Sequence, residues 1–502
     1  MTRTTLRGAS TGGVLRTVLF WCTAAALVTA NAIIAAHSIA IAPLWEDEAY
    51  NLTLPLNMAR GLGYTSDGIL FGGELLPFDV RISTGPVVLL PVVPLIAAGI
   101  DPAVAGRLVA LGFYAALVAG AAFAAHRLAG RWAALAAAAV LLAFDASAPP
   151  SPIQGPADLL GEIPAAALLL WAAIVVPRAP WIAGLLLGLA VEAKTISLLA
   201  VPALVLATLL TGVGALGRRA RQVLVAAGAA IAPTALFELA ALISLGPGDY
   251  ALRLRSMGYF LLTGGQTYQA TSPIQKTTVL AESWFLPPGI VVAIVVVVVG
   301  FAAWNALDAS RHRDEYRAYL HRAGLAPART IASQLLVAAV GLTTFVAWWA
   351  FAAHTPLWVR HPAPGVLAYT PLLLAGIVLA VRWRLHRARS AGSRILPLGI
   401  ATVVAAMLAT QVSLHALAAL SPPERTLAAQ RTLAAELGEV VTSPWIAVPW
   451  GSAVSIGVLA GIHVGLTDSP SSAGLPTFVP AAGAPPCTGR ALVLDEWRLC
   501  VP

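Results

Sequence analysis

Long apolar runs recur along most of the chain, parted by short clusters of arginine, and this pattern limits the fold more than any other feature. An apolar run of about 20 residues can cross a hydrocarbon core as a helix. Inside that core every backbone polar group must find its partner within the protein, which turns such runs into helices. Of the 502 residues 58% are hydrophobic and only 11% charged, against about 25% charged in soluble domains. The chain reads as an all-α polytopic membrane protein.

Charge sets its orientation. Arg3, Arg7 and Arg16 precede the first run, 17–40, which puts the N-terminus in the cytoplasm. That run is long and lacks a small-residue cleavage site, so it is expected to stay as an anchor. Residues 41–105 then form the first extracytoplasmic loop. Its apolar stretch 86–99 has 14 residues, a length that suits a re-entrant or interfacial segment and not a span. Ten further spans are expected at 106–126, 132–148, 159–177, 181–194, 196–215, 222–244, 285–304, 330–352, 364–382 and 395–417, about eleven in all, with the C-terminus outside. On this topology the cytoplasmic side takes 19 of the 31 basic residues and three of the 23 acidic ones, Asp308, Asp314 and Glu315. A net charge of +8 does not point to a nucleic-acid partner, because the positive charges sit in short clusters between apolar runs, which is how topology is encoded.

Three regions lie outside the spans. Loop 305–329, with Arg311, His312, Arg313 and Arg317 among its charges, is expected to form an amphipathic helix against lipid headgroups of the inner leaflet. Residues 245–284 read as a second outer loop. After the transmembrane part, 1–417, residues 418–502 are expected to form a small α/β extracytoplasmic domain: helix 424–439, strand Trp445–Val448, helix 452–461 and a closing strand Ala491–Cys500. It is too small to be an enzyme core, yet large enough to cover a site. Cys487 and Cys500 are expected to pair there, in an oxidising compartment, while Cys22 packs within the first run.

The unusual polar residues converge on one membrane face. Trp45-Glu46-Asp47-Glu48-Ala49-Tyr50 follows the first span, and three adjacent acids are costly to desolvate, so they should face water, a cation or a reacting group. Arg81 and Ser83-Thr84-Gly85-Pro86 enter the re-entrant segment. Asp145, Asp158 and Glu162 flank the next outer loop, Glu192 and Lys194 end a span, and Arg360-His361 stand near another. Cations facing carboxylates beneath an apolar groove suit a lipid phosphate beside a polar acceptor. The cations hold the phosphate and a carboxylate takes a proton from the attacking hydroxyl. Plainer roles compete: Lys194 snorkelling to the interface, Arg107 anchoring a helix start, Asp145 forming a loop before Pro149-Pro150, His361 structural beside a proline. Glu238, within a span, either pairs with a neighbour or lines a cavity. No Gly-Lys-Ser/Thr phosphate loop supports ATP-driven transport, and no spacing reads as a zinc site.

Several stretches, taken in order, resemble the membrane-embedded glycosyltransferases of the GT-C class, in the protein O-mannosyltransferase and aminoarabinose-transferase branch. They are Asp47-Glu48-Ala49-Tyr50, Arg60-Gly61-Leu62-Gly63-Tyr64, Ile82-Ser83-Thr84-Gly85-Pro86, Gly106-Arg107-Leu108, Gly161-Glu162-Ile163-Pro164-Ala165, and Gly188-Leu189-Ala190 leading to Lys194. The likeness covers about the first 215 residues. One departure stands in the first loop, where many relatives have a lysine before the proline and this chain has Thr84-Gly85-Pro86. The resemblance implies a GT-C-like fold in the plasma membrane and an inverting transfer from a polyprenyl-phosphate-linked sugar to a glycan, lipid or protein hydroxyl at the outer face. Asp47 would be the general base and Glu48 its support, with Lys194, Arg107 and Arg360 on the donor phosphate. Arg81, Asp158, Glu162 and His361 would lie near the substrates, with Asp158 and Glu162 both candidates for the second key acid. No cofactor is implied and a divalent metal is not required, because cationic side chains can neutralise the phosphate. The alternative is a transporter or flippase of a lipid-linked saccharide. Such a protein more often shows two related halves with midplane charges, and the sequence carries no visible repeat.

Overall fold

The computed structural model describes residues 11–68, 73–143, 155–263, 270–282, 288–352, 357–482, 486–487 and 489–502. Arg3, Arg7, Asp145 and the end of the span expected at 132–148 lie outside the described residues.

The chain opens with α1 (Thr11–Ala40), a 30-residue helix lying mostly outside the bundle, and turns through an irregular stretch into α2 (Glu46–Ala59). Glu46, Asp47 and Glu48 fill the first turn of α2, where negative charge meets the positive end of the helix dipole. The acid cluster thus opens a helix within the expected loop. The loop continues with the paired strands β1 (Thr65–Ser66) and β2 (Leu76–Pro77), then the short apolar helices α3 (Pro86–Leu89) and α4 (Val92–Ala97). These two fill 86–99 without making a span.

Next come α5 (Pro102–Ala129), α6 (Arg131–Leu142), α7 (Glu162–Val175) and α8 (Pro180–Ala193), a 3-10 turn at Thr195–Ala200, and α9 (Val201–Thr211). Asp101 caps α5 by accepting from Val104 N at 3.0 Å, with Pro102 in the first turn. After α9 follow α10 (Leu216–Thr263), α11 (Pro273–Glu282), α12 (Pro288–Arg311), α13 (Arg313–Arg322), α14 (Ala328–Phe351), α15 (Ala363–Arg387) and α16 (Gly392–Ala419). Among the described residues six helices are long and apolar enough to cross a membrane by themselves: α1, α5, α10, α14, α15 and α16. The spans expected at 132–148, 159–177, 181–194 and 196–215 appear as the shorter helices α6 to α9. Fourteen residues reach about 21 Å, less than the roughly 30 Å core. Leu169, Leu170, Ala172, Ala183 and Leu187 bury these helices inside the bundle, so their ends meet protein where lipid would leave backbone groups unpaired.

α15 is the central pillar, packed against α5, α6, α7 and α14. The expected outer loop 245–284 is largely helical: α10 continues to Thr263 across a kink at Gly246 (φ 75°), and α11 follows. Gly246 takes the left-handed conformation that breaks the helix, and Pro247 starts the next turn. The expected amphipathic helix is present as α13. Beside it, Arg384 and Arg387 of α15 pair with Asp308 of α12 at 3.7 and 2.8 Å. That arginine-rich end of the 25-residue α15 lies about 37 Å from the end next to Arg360.

The C-terminal part comprises α17 (Leu427–Val440), β3 (Trp445–Val448), α18 (Ser452–Leu459), β4 (His463–Leu466), β5 (Thr477–Pro480), β6 (Arg490–Leu494) and β7 (Trp497–Val501). The sheet order is β4-β3-β5-β7-β6, with β3 parallel to β4 and β5 and the remainder antiparallel. The single closing strand expected at Ala491–Cys500 is instead a hairpin, because Asp495 (φ 53°) turns the chain between β6 and β7. Aspartate tolerates that conformation better than most residues. Cys487 and Cys500 form a disulfide.

Candidate functional site

The site grows from the start of α2. Glu48 is fully buried and faces Arg107, which is equally buried on the second turn of α5. Arg107 Nη2 and Nε donate to Glu48 at 2.9 and 3.3 Å. Its Nη1 donates to the carbonyls of Ile39 and Ala42 at 3.2 and 2.8 Å, and Nη2 also to that of Pro43 at 2.8 Å. Glu48 Oε1 further accepts from Leu159 N at 3.0 Å. Asp158 lies buried beside this knot, in the turn before α7. The guanidinium fork ties three segments into one corner, a geometry a lysine could not supply.

Asp47 points the other way. Arg360 Nη1 donates to Asp47 Oδ2 at 2.6 Å, and the carboxylate side chain stays 24% exposed. The Arg360 guanidinium lies 5.3 Å from the Trp45 ring and 4.9 Å from that of Trp358, two faces that attract a cation. Burial, reinforced by the charges of Arg360 and Lys194, pushes the His361 imidazole down to about 3. That ring is neutral at physiological pH. Lys276 of α11 enters the same neighbourhood fully buried, its ammonium donating to the carbonyls of Trp349 and Ala352 at 2.6 and 2.7 Å. It thereby caps the end of α14.

A second ion pair stands at the end of α8. Lys194 Nζ lies 2.9 Å from Glu162 and donates to Ser83 Oγ at 3.0 Å. Two glycines allow this convergence. A Cβ on Gly85 would sit 1.8 Å from the Glu192 carbonyl oxygen, and one on Gly161 2.2 Å from that of Ala193. Gly85 N donates to that same Ala193 carbonyl at 3.1 Å. The first loop, the start of α7 and the end of α8 therefore touch backbone to backbone, which brings Ser83, Glu162 and Lys194 together. Asn51 adds a tie, donating to Thr84 Oγ1 at 3.0 Å and to the Leu159 carbonyl at 2.8 Å.

Beside this point opens a cavity of about 640 Å³. Its long wall is apolar, formed by α8, α9 and α10 through residues such as Leu187, Val205 and Ile231. Its polar end holds Ser83, Glu192, Thr234, Glu238 and Arg253, and Arg253 is the one basic residue among its described lining. Arg253 grips Glu238 through both terminal nitrogens, at 2.6 and 3.1 Å, and donates through Nε to the Phe78 carbonyl at 3.1 Å. Thr234 Oγ1 donates to Glu192 at 2.5 Å. The rings of Tyr64, Phe78 and Phe237 cluster above, with centroids 5.0 to 5.7 Å apart. Behind them Asp79 accepts from Ser66 at 2.8 Å and from the Tyr50 hydroxyl. Arg81 follows, its main-chain N donating to Asp79 Oδ1 at 3.0 Å, and burial holds its guanidinium below the usual value.

The structure thus brings Asp47 to Arg360, Glu48 to Arg107 and Asp158, and Glu162 to Lys194, with His361 next to Arg360 and Arg81 on the first loop. Arg107 is engaged by Glu48 and by the carbonyls of Ile39, Ala42 and Pro43, contacts that hold the start of α2. Arg253 and Lys276 appear in the sequence as ordinary loop charges. Their signal was that both sit within helical segments, which 245–284, read as a loop, concealed.

No protein-family model matches the chain, and no curated protein matches its sequence. Among solved structures it is similar to ArnT from Cupriavidus metallidurans in the apo state, with a TM-score of 0.57 and 14% identity over 97% of this chain and 98% of that one. It is likewise similar to ArnT bound to undecaprenyl phosphate, with a TM-score of 0.55 and 14% identity over 98% of both chains. At that identity the likeness is one of fold. The chain has the fold of the GT-C polytopic membrane proteins.

Proposed function

We propose that this protein is a membrane glycosyltransferase that moves a sugar from a polyprenyl-phosphate donor to an acceptor hydroxyl at the outer face of the plasma membrane, with inversion. The observation that carries the reading is the Glu162–Lys194 pair, whose lysine donates to Ser83 on the lining of an apolar cavity. Arg253 is the one cation of the cavity's described lining, and Arg360, paired to Asp47, lies near enough for its charge to act on Glu162. A prenyl chain suits the apolar wall. Lys194, Arg253 and Arg360 suit the phosphate, each leaving its carboxylate partner as the donor's negative charge arrives. The fold shared with a protein crystallised with undecaprenyl phosphate supports that class of carrier.

In the reaction the acceptor oxygen forms a bond to the anomeric carbon as the bond from that carbon to the phosphate oxygen breaks. The acceptor proton passes to Asp47, and the polyprenyl phosphate leaves with its charge held by the cations. Attack opposite the leaving group inverts the anomeric centre. Glu48 and Arg107 hold the start of α2, and Glu162 sets Lys194. Asp158, Arg81 and His361 frame the site, His361 as a neutral ring. The acceptor is a glycan, a lipid or a protein hydroxyl. In this reading 1–417 is the catalytic transmembrane domain, with a cytoplasmic N-terminus, and 418–502 is an extracytoplasmic domain that covers the site.

Membranes containing the wild-type protein, incubated with a panel of radiolabelled polyprenyl-phosphate sugars, test the class of activity. Consumption of one donor with label appearing in an acceptor is expected. Movement of the labelled lipid across sealed vesicles without transfer would replace the transferase with the transporter.

A further inference from the structure

The stretch from Ile39 to Leu44 spans the end of α1 and the irregular link to Trp45. The amides of Ile41 and Ala42 still donate to the His37 carbonyl of α1, at 2.9 and 3.0 Å, and the carbonyls have no ladder or helix of their own. The stretch's other groups find partners elsewhere, as buried backbone groups must. Arg107 takes the carbonyls of Ile39, Ala42 and Pro43. α17, 386 residues later in the chain, takes others. Leu427 N, a first-turn amide with no partner inside its own helix, donates to the Ile41 carbonyl at 3.0 Å. Gln430 then makes a reciprocal pair with a single residue: Leu44 N donates to Gln430 Oε1 at 2.7 Å, and Gln430 Nε2 donates to the Leu44 carbonyl at 2.8 Å.

Gln430 is 3% exposed, and Leu427, Leu433 and Leu437 of the same helix share one apolar cluster with Leu44, Tyr50 and Leu52. A primary amide paired in both directions with a backbone amide fixes that backbone in position and rotation, because both ends of the pair must be aligned. Leu44 stands three residues before Asp47. Any shift at Leu44 passes directly to the first turn of α2.

We propose that Gln430 is a positioning residue for Asp47: the C-terminal part takes part in the reaction by setting the base through the backbone of Leu44, in addition to covering the site. The inference rests on Asp47 being the base, as argued above. A misplacement of about 1 Å in a reacting group costs up to a hundredfold in rate, so the grip matters out of proportion to its two hydrogen bonds.

The test uses the full-length protein in detergent with Gln430→Met, which matches the side chain in length and removes both hydrogen bonds. Hydrogen–deuterium exchange is expected to rise about tenfold in peptides covering 41–47 and to stay unchanged in β3 to β7. In the transfer assay kcat is expected to fall ten- to a hundredfold with the donor KM unchanged, a split that loss of folded protein alone does not produce. Gln430→Asn, which keeps the amide on a shorter stem, is expected to show the same changes at smaller size and serves if the methionine variant fails to fold. Thr432→Ala, on the exposed face of α17, is expected to match wild type. Wild-type exchange and kcat in both Gln430 variants, with Asp47→Asn inactive, overturns the inference alone. Full activity in Asp47→Asn overturns the reading of Asp47, while the exchange data still judge the grip.

Discussion

Removal of Arg107 should damage the fold before it touches chemistry. Arg107→Ala leaves Glu48 fully buried without its countercharge and frees the carbonyls of Ile39, Ala42 and Pro43. Breaking a buried ion pair from one side costs about 3–5 kcal/mol. Each of the three unsatisfied carbonyls can add about 1 kcal/mol where water cannot reach it, so the total lies at or above the upper end of that range. A loss of that size should lower the melting temperature in detergent by on the order of 10 °C. Arg107→Lys should recover only part of it, since one ammonium cannot reproduce the five contacts made here. The double variant Arg107→Met/Glu48→Leu should be less destabilised than Arg107→Ala, because no charge then remains buried. Differential scanning fluorimetry of the four proteins decides the matter. A melting temperature in Arg107→Ala within about 2 °C of wild type, or a double variant worse than the single, would refute the view that this pair is a structural knot.

Other outcomes follow from the same geometry. Arg253→Gln should weaken undecaprenyl-phosphate binding about tenfold, measured by native mass spectrometry, since a neutral amide replaces the one cation among the cavity's described lining; unchanged binding would place the phosphate elsewhere. The folded-state value of His361, about 3, lies below the roughly 6.5 of an unfolded histidine. The unfolded chain therefore takes up the proton first, and this group's contribution to stability is whole above about pH 6.5 and declines as pH falls toward 3. His361→Asn should accordingly show a flatter acid limb in a melting-temperature series, and parallel limbs would contradict the assignment. Maleimide labelling of the unreduced, folded protein should leave Cys487 and Cys500 unmodified until a reductant is added, and labelling of both without reductant would disprove the bridge.

Much of this architecture is legible in the sequence because apolar length and arginine placement are direct physical signals. The short apolar helices within 86–99, the helix at 313–322, α17 and the strand β3 fall where the sequence puts a short apolar segment, an amphipathic helix, a helix and a strand, while β4 and β5 carried no such signal. The short helices α6 to α9 were harder to judge, because interior helices of a bundle need not match the bilayer thickness and hydropathy records only apolarity. The helical run to Thr263 was hidden by Gly246-Pro247, a pair that breaks the helix at a kink and lets a second helical stretch follow at once. At the site, residue type pointed to Asp47, Lys194 and Arg360, yet it could not show that Arg107 is engaged by carbonyls. Those contacts lie in three backbone oxygens brought close by the fold. Gln430 gave no signal at all, since an amide near a helix start resembles any surface glutamine until its partner, Leu44, is placed against it.

The central claim is that Asp47 accepts the acceptor's proton. Its most direct test pairs two measurements on purified Asp47→Asn, sugar transfer at saturating donor and donor binding at equilibrium. Loss of a general base should lower kcat by about 10²- to 10⁴-fold while donor affinity stays within about threefold of wild type, because the amide keeps the shape of the side chain. A variant that transfers sugar at the wild-type rate, or one whose only defect is in donor binding, would contradict the account.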